Sequence, residues 1–208
     1  MNKSLQVLVC FSLFSTLLNA QFPDNTWLLG RSSTGAPIQD SSGLSILTFF
    51  DNELIVGPEF NLNYQMETNN TSFSNANGEL LFYFNGKQLH NSNNEIVLNG
   101  DEMYPGEASL GYDIPQGSLL LPIPDSEKKY LILSTHIEYY DELSDFVGDQ
   151  LYYSILDLDE NNGQGRVTVK NELLEEHYIH GGQLTATRHA NGRDWWIIWP
   201  YWDSNRFM

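Results

Sequence analysis

The acid-rich turn Asp157-Leu158-Asp159-Glu160-Asn161-Asn162-Gly163 places side-chain oxygens at alternate positions, as calcium loops do to surround a hard cation. Asp157, Asp159 and Asn161 are therefore the candidate metal ligands. The match is incomplete: an EF-hand requires glycine one position earlier and glutamate at the twelfth position, where Thr168 stands. In a chain with 27 acidic residues, a solvated hairpin turn accounts for the pattern more simply. Five histidines, His90, His136, His177, His180 and His189, supply imidazoles for zinc or proton transfer, but none sits in a His-Glu-x-x-His motif. His177 and His180 form a pair three residues apart that lacks a visible third ligand. No Gly-x-Ser-x-Gly elbow marks a nucleophilic serine, and the acids are too numerous to single out a glycosidase pair. The expectation is no bound cofactor, with calcium at the acid-rich turn as the alternative.

Two further clusters carry polar or aromatic chemistry. His189, Asn191, Gly192 and Asp194, within Arg188-His189-Ala190-Asn191-Gly192-Arg193-Asp194-Trp195, concentrate hydrogen-bonding groups around a turn, and their expected role is to lock a hairpin. The stretch Trp195-Trp196-Ile197-Ile198-Trp199 is apolar at both alternating sets of positions, so it predicts a strand buried on both faces. Pro200 lacks an amide donor and should end the ladder. Tyr201 and Trp202 then leave the sheet as an aromatic platform for a sugar or peptide ligand.

Strands and turns must position these groups. Runs rich in β-branched and aromatic residues cover 46–50, 80–84, 118–121, 130–134, 151–158, 166–170 and 194–199, each bounded by Gly, Pro, Asn or Asp. Asn77-Gly78, Asn85-Gly86 and Asn162-Gly163 are hairpin signals, because such turns require positive φ. Residues 171–178 hold the one alternative helix, with Leu173, Leu174 and His177 at helical spacing over only two turns. The segment Ala76-Asn77-Gly78-Glu79-Leu80-Leu81-Phe82-Tyr83-Phe84 echoes Ala190-Asn191-Gly192-Arg193-Asp194-Trp195-Trp196-Ile197-Ile198 at a separation of three units of about 38 residues, near the length of a four-stranded propeller blade; chance similarity of two Ala-Asn-Gly turns is the alternative.

Composition narrows the partners. The chain has 208 residues, 41% hydrophobic and 13% aromatic, with 10 basic residues against 27 acidic ones and a net charge of -17. This excludes wholesale disorder and favours one all-β domain. The charge repels nucleic-acid phosphates and anionic lipid surfaces, so neither is an expected partner. Residues 1–20 have the layout of a secretory signal peptide: Lys3, an apolar middle too short to span a bilayer, and Ala20 at the cut. Cleavage there removes Cys10, the only cysteine, and leaves residues 21–208 as a secreted or cell-surface domain with no disulfide and no later membrane insertion.

In their order along the chain, Asn77-Gly78-Glu79-Leu80-Leu81-Phe82-Tyr83-Phe84-Asn85-Gly86, Lys129-Tyr130-Leu131-Ile132-Leu133, Leu151-Tyr152-Tyr153-Ser154-Ile155-Leu156-Asp157, Lys170-Asn171 and Leu184-Thr185-Ala186-Thr187-Arg188-His189-Ala190-Asn191-Gly192-Arg193-Asp194-Trp195-Trp196 resemble a known pattern. It is that of the propeller-like N-terminal region of large secreted Bacteroidetes-type proteins, many of which end in gliding-motility or type IX secretion sorting domains. The likeness runs from Trp27 to the C-terminus and implies export and an incomplete β-propeller of about two to three four-stranded blades with antiparallel sheets. It brings no chemistry with it. Relatives continue through more blades, so a truncated product is implied, and an uncovered C-terminal strand edge is expected to drive self-association. The functional expectation is a non-catalytic surface or recognition module that binds glycan or protein. The alternatives are a polysaccharide-acting hydrolase and a fragment without function.

Overall fold

The computed structural model describes residues 25–29, 45–50, 53–57, 69–75, 77–103, 115–143, 145–180, 182–202 and 204–208. Residues 1–24, which include the expected signal peptide, and the stretches 58–68 and 104–114 lie outside the described residues. Every sheet pairing is antiparallel, and no α-helix occurs among the described residues. Four small sheets follow one another in chain order. The first contains β1 (Thr26–Leu29), β2 (Ser45–Phe50) and β3 (Glu53–Val56), and the second contains β4 (Thr71–Ser74), β5 (Leu80–Phe84) and β6 (Leu89–Asn91). The third, in the order β10-β9-β8-β7, joins β7 (Ser118–Pro122), β8 (Lys129–Tyr140), β9 (Asp145–Asp157) and β10 (Arg166–Ile179). The fourth pairs β11 (Thr185–Arg188) with β12 (Trp195–Ile198). Among the described residues only the third has the four strands expected of a full blade.

The hairpin signals fall where the chain reverses. Gly86 and Gly163, at φ 90° and 84°, adopt the left-handed conformation that a side chain resists, and they turn β5 into β6 and β9 into β10. The echoed segments occupy equivalent local positions, each a turn followed by the second strand of a hairpin, β4–β5 in one case and β11–β12 in the other. In both turns an asparagine side chain accepts two backbone amides: Asn75 Oδ1 from Asn77 and Glu79, and Asn191 Oδ1 from Arg193 and Asp194.

Side-chain alternation explains how the sheets stack. In β5, Tyr83 points to Leu28 and Ile46 of the first sheet, while Phe82 and Phe84 point to Tyr130, Ile132 and Leu156 of the third. All three β5 aromatics are fully buried, and each contributes on the order of 1.5–3 kcal/mol relative to an exposed position. A bulge opposite Phe73 and Ser74 flips the alternation, so that Leu81 joins the Phe82 side and Leu80 the Tyr83 side. The third sheet is likewise covered on both faces. Tyr130 and Ile132 face the second sheet, whereas Leu131 and Leu133 face Leu184, Ile197 and Trp199 around the fourth.

One expectation from the sequence needs correction, and one alternative falls away. Residues 171–178 are strand rather than the alternative helix, because they continue β10 along β9 through a series of register shifts. Asn171, at φ 52°, sits in one such bulge and its amide is held by Ser154 Oγ at 3.0 Å. The β12 strand is not buried on both faces: Trp196 is 57% exposed, since among the described residues only the Trp195, Ile197 and Trp199 side has a neighbouring sheet.

Candidate functional site

The chain after β12 folds back along the end of β10. Ile179 bridges Tyr201, and the Trp202 amide donates to the Tyr178 carbonyl at 2.9 Å. Pro200 then bridges Phe207, and the Met208 and Trp199 amides and carbonyls pair reciprocally. Residues 206–208 thus pair with Trp199, Pro200 and Tyr201, at the end of the 195–199 strand whose edge was expected to stand open. Tyr201 and Trp202 do not project freely either; both are half-buried, and Tyr201 packs partly on the core around Leu133 and Leu151.

This return forms a cleft of about 700 Å³. Glu175 and His177, two residues apart on β10 and so on one face, form one wall. Tyr201, Trp202, Ser204, Asn205 and Arg206 form the other. The His177 ring meets Tyr201 edge to face at 4.5 Å, and His180 tilts against Trp202 at 4.6 Å. Ser204 Oγ accepts the Arg206 amide at 2.9 Å, which fixes the terminal turn. Among the described residues the Arg206 guanidinium makes no ion pair. The cleft thus combines two aromatic faces with a carboxylate, an imidazole, a hydroxyl, an amide and a cation. Of these residues, the sequence pointed to Tyr201 and Trp202 as a platform and to His177 as one of five candidate imidazoles; Arg206 and Asn205 carry no local signal that would have singled them out.

The turn at 189–194 is tightly bonded. The His189 amide donates to the Asp194 carbonyl at 2.8 Å, the Gly192 amide to the His189 carbonyl at 2.9 Å, and Asn191 Nδ2 to Asp194 Oδ2 at 2.6 Å. Arg193 spans Asp194 and Asp125, at 2.8 and 3.1 Å, and ties the turn to the third sheet's β7–β8 connection. Arg188 lies over the Trp195 ring at 4.7 Å, and Trp195 Nε1 donates to the Pro122 carbonyl at 3.0 Å.

The calcium candidates are engaged otherwise. Asp157 Oδ2 meets Lys129 Nζ at 3.1 Å and Oδ1 accepts the Asp159 amide at 3.1 Å. Burial acts to raise the Asp157 pKa, but the Asp159 amide and the Lys129 ammonium outweigh it and hold the carboxyl below the usual range. Asn161 opens a short 3-10 turn and donates to Gln164 at 3.4 Å. No group of three or more His, Cys, Asp or Glu side chains with metal-binding geometry occurs among the described residues.

One polar constellation escaped the sequence reading. His136 Nδ1 lies 2.6 Å from Asp149 Oδ1, and the Tyr140 hydroxyl donates to Asp149 Oδ2 at 3.0 Å. A bulge between His136 and Ile137 brings these groups together across the β8–β9 hairpin. Burial first, and then the Asp149 carboxylate, push the Tyr140 phenol up to about 12. Nothing in the spacing of residues 136, 140 and 149 announces this contact, because the bulge that creates it is a tertiary feature.

Comparison with protein-family models, with curated proteins and with solved structures finds no match for this chain.

Proposed function

We propose that this protein is a secreted, non-catalytic recognition module that binds a glycan in the cleft between β10 and the C-terminal turn. The observation that carries the reading is the pairing of Tyr201 and Trp202 with Glu175, Asn205 and Arg206 in one concavity. Aromatic faces stack on the C–H faces of sugars, while convergent polar side chains bond their hydroxyls. Glu175 is the one carboxylate among the described lining residues, whereas glycoside hydrolysis uses two flanking carboxylates. Binding without turnover suits that composition better than cleavage.

The scaffold in this reading is an incomplete β-propeller, its four sheets standing as successive blades. Support comes from their chain-order stacking through three apolar interfaces, with the interior sheets covered on both faces. Export follows from the layout of residues 1–20, and secreted material should begin at Gln21 by intact mass. A glycan array followed by titration of any hit tests the site. Trp202→Ala should weaken binding about tenfold or more with the far-ultraviolet spectrum unchanged. Release of reducing ends from the bound glycan would replace this reading with a hydrolase, and equal binding by Trp202→Ala would remove the cleft from it.

A further inference from the structure

We propose that the outer face of the β1–β3 sheet receives the outer face of the β11–β12 sheet of a second copy of this chain, so that copies join head to tail. Register and alternation define the first face. Trp27 lies opposite Leu47, Leu47 opposite Val56, and Phe49 opposite Leu54, which places these side chains together on the side away from Leu28, Ile46 and Tyr83. They are exposed: Trp27 46%, Leu54 53% and Val56 63%. Trp27 and Phe49 meet edge to face at 5.1 Å. The second face is the side of β12 turned away from Leu133 and Leu151, where Trp196 and Ile198 lie opposite Thr187 and Thr185. Trp196 is capped by His189 at 5.2 Å.

Charge selects the occupant. Neither face carries a charged side chain at these positions, on a chain with a net charge of -17. Two copies repel one another over most of their surface, so contact between them is favoured where these uncharged side chains meet. A basic partner would instead be drawn to the acidic remainder. Continuity selects the orientation. Each interior junction of the stack joins the later face of one sheet to the earlier face of the next, through apolar side chains at alternate positions. Docking the fourth sheet of one copy onto the first sheet of another repeats that relation, whereas joining like ends would reverse it. Repetition in both directions closes two copies into a symmetric dimer with two equivalent heterologous contacts. Closure as a ring of eight blades rests on the propeller reading and falls at the upper end of the usual four to eight; the contact itself does not depend on glycan binding.

Sedimentation velocity over a range of concentrations at physiological salt tests the inference, using wild type, Leu54→Glu, Trp196→Glu and an equimolar mixture of the two variants. Wild type should associate. Each variant alone should be monomeric, because each copy then lacks one of the two required faces. The mixture should regain a heterodimer through the intact first face of Trp196→Glu and the intact fourth-sheet face of Leu54→Glu. Circular dichroism checks that each variant folds, and Val56→Glu with Thr187→Glu form a second pair on the same faces. A monomeric wild type, association retained by either single variant, or a mixture with no heterodimer would each overturn the proposal.

Discussion

Gly148 holds the most sensitive junction between the core and the cleft. It is buried in β9, where Ile179 of β10 pairs with it on one side and bridges Tyr201 on the other. A Cβ added there would stand 2.8 Å from Ile179 Cγ1, 2.9 Å from the Ile179 carbonyl oxygen and 3.1 Å from Thr135 Cγ2. The Ile179 side chain can rotate, but its carbonyl belongs to the backbone, so β10 must shift by several tenths of an ångström. Overpacking of this kind costs about 1–3 kcal/mol. With a urea slope of about 2 kcal/mol/M, Gly148→Ala should lower the unfolding midpoint by roughly 0.5–1.5 M. Urea titration followed by tryptophan fluorescence and circular dichroism measures the shift. Gly57→Ala is the control, because its Cβ meets Ile46 at an ordinary 3.5 Å. The control should leave stability unchanged or raise it by about 0.4–1 kcal/mol through reduced freedom of the unfolded chain. An unchanged midpoint for Gly148→Ala would refute the steric argument, and equal losses in both variants would assign the cost to glycine replacement in general.

Two substitutions probe the ends of the pH range. The carboxyl of Asp157 is held below its unfolded value, so its contribution is present above about pH 4 and is lost as pH falls through the folded-state pKa. Asp157→Asn should therefore be less stable than wild type at neutral pH, with the gap closing on acidification; a gap independent of pH would discount the Lys129 and Asp159 contacts. Tyr140 is shifted the other way, so the stability it confers is full below about pH 10 and is lost as pH rises towards about 12. Tyr140→Phe should flatten the alkaline decline seen in wild-type denaturation curves, and an identical decline would place the loss elsewhere. Self-association should strengthen as salt is raised from low to physiological, because screening over about 8 Å weakens repulsion but not apolar contact; light scattering that falls with salt would contradict it.

The strands, their antiparallel pairing and the main hairpins were legible in the sequence because they depend on neighbours. The apolar run 80–84 between Asn77-Gly78 and Asn85-Gly86 needs no distant contact to become a strand with a turn at each end. The aromatic character of Tyr201 and Trp202, and the uncharged run at Trp195-Trp196-Ile197-Ile198, are equally properties of composition. What tertiary structure alone decided is which face of each strand is covered. The run 195–199 is apolar on both sides, yet among the described residues only the side meeting Leu133 and Leu151 finds a sheet, and Trp196 is left in solvent. Residues 171–178 have helical spacing, but pairing with β9 supplies backbone hydrogen bonds that a two-turn helix could not match, and they become strand. The cleft and the His136–Asp149–Tyr140 cluster belong to the same class. Each joins groups through a bulge or a chain return, and such junctions depend on the register in which neighbouring strands and turns meet rather than on the spacing of residues along the chain.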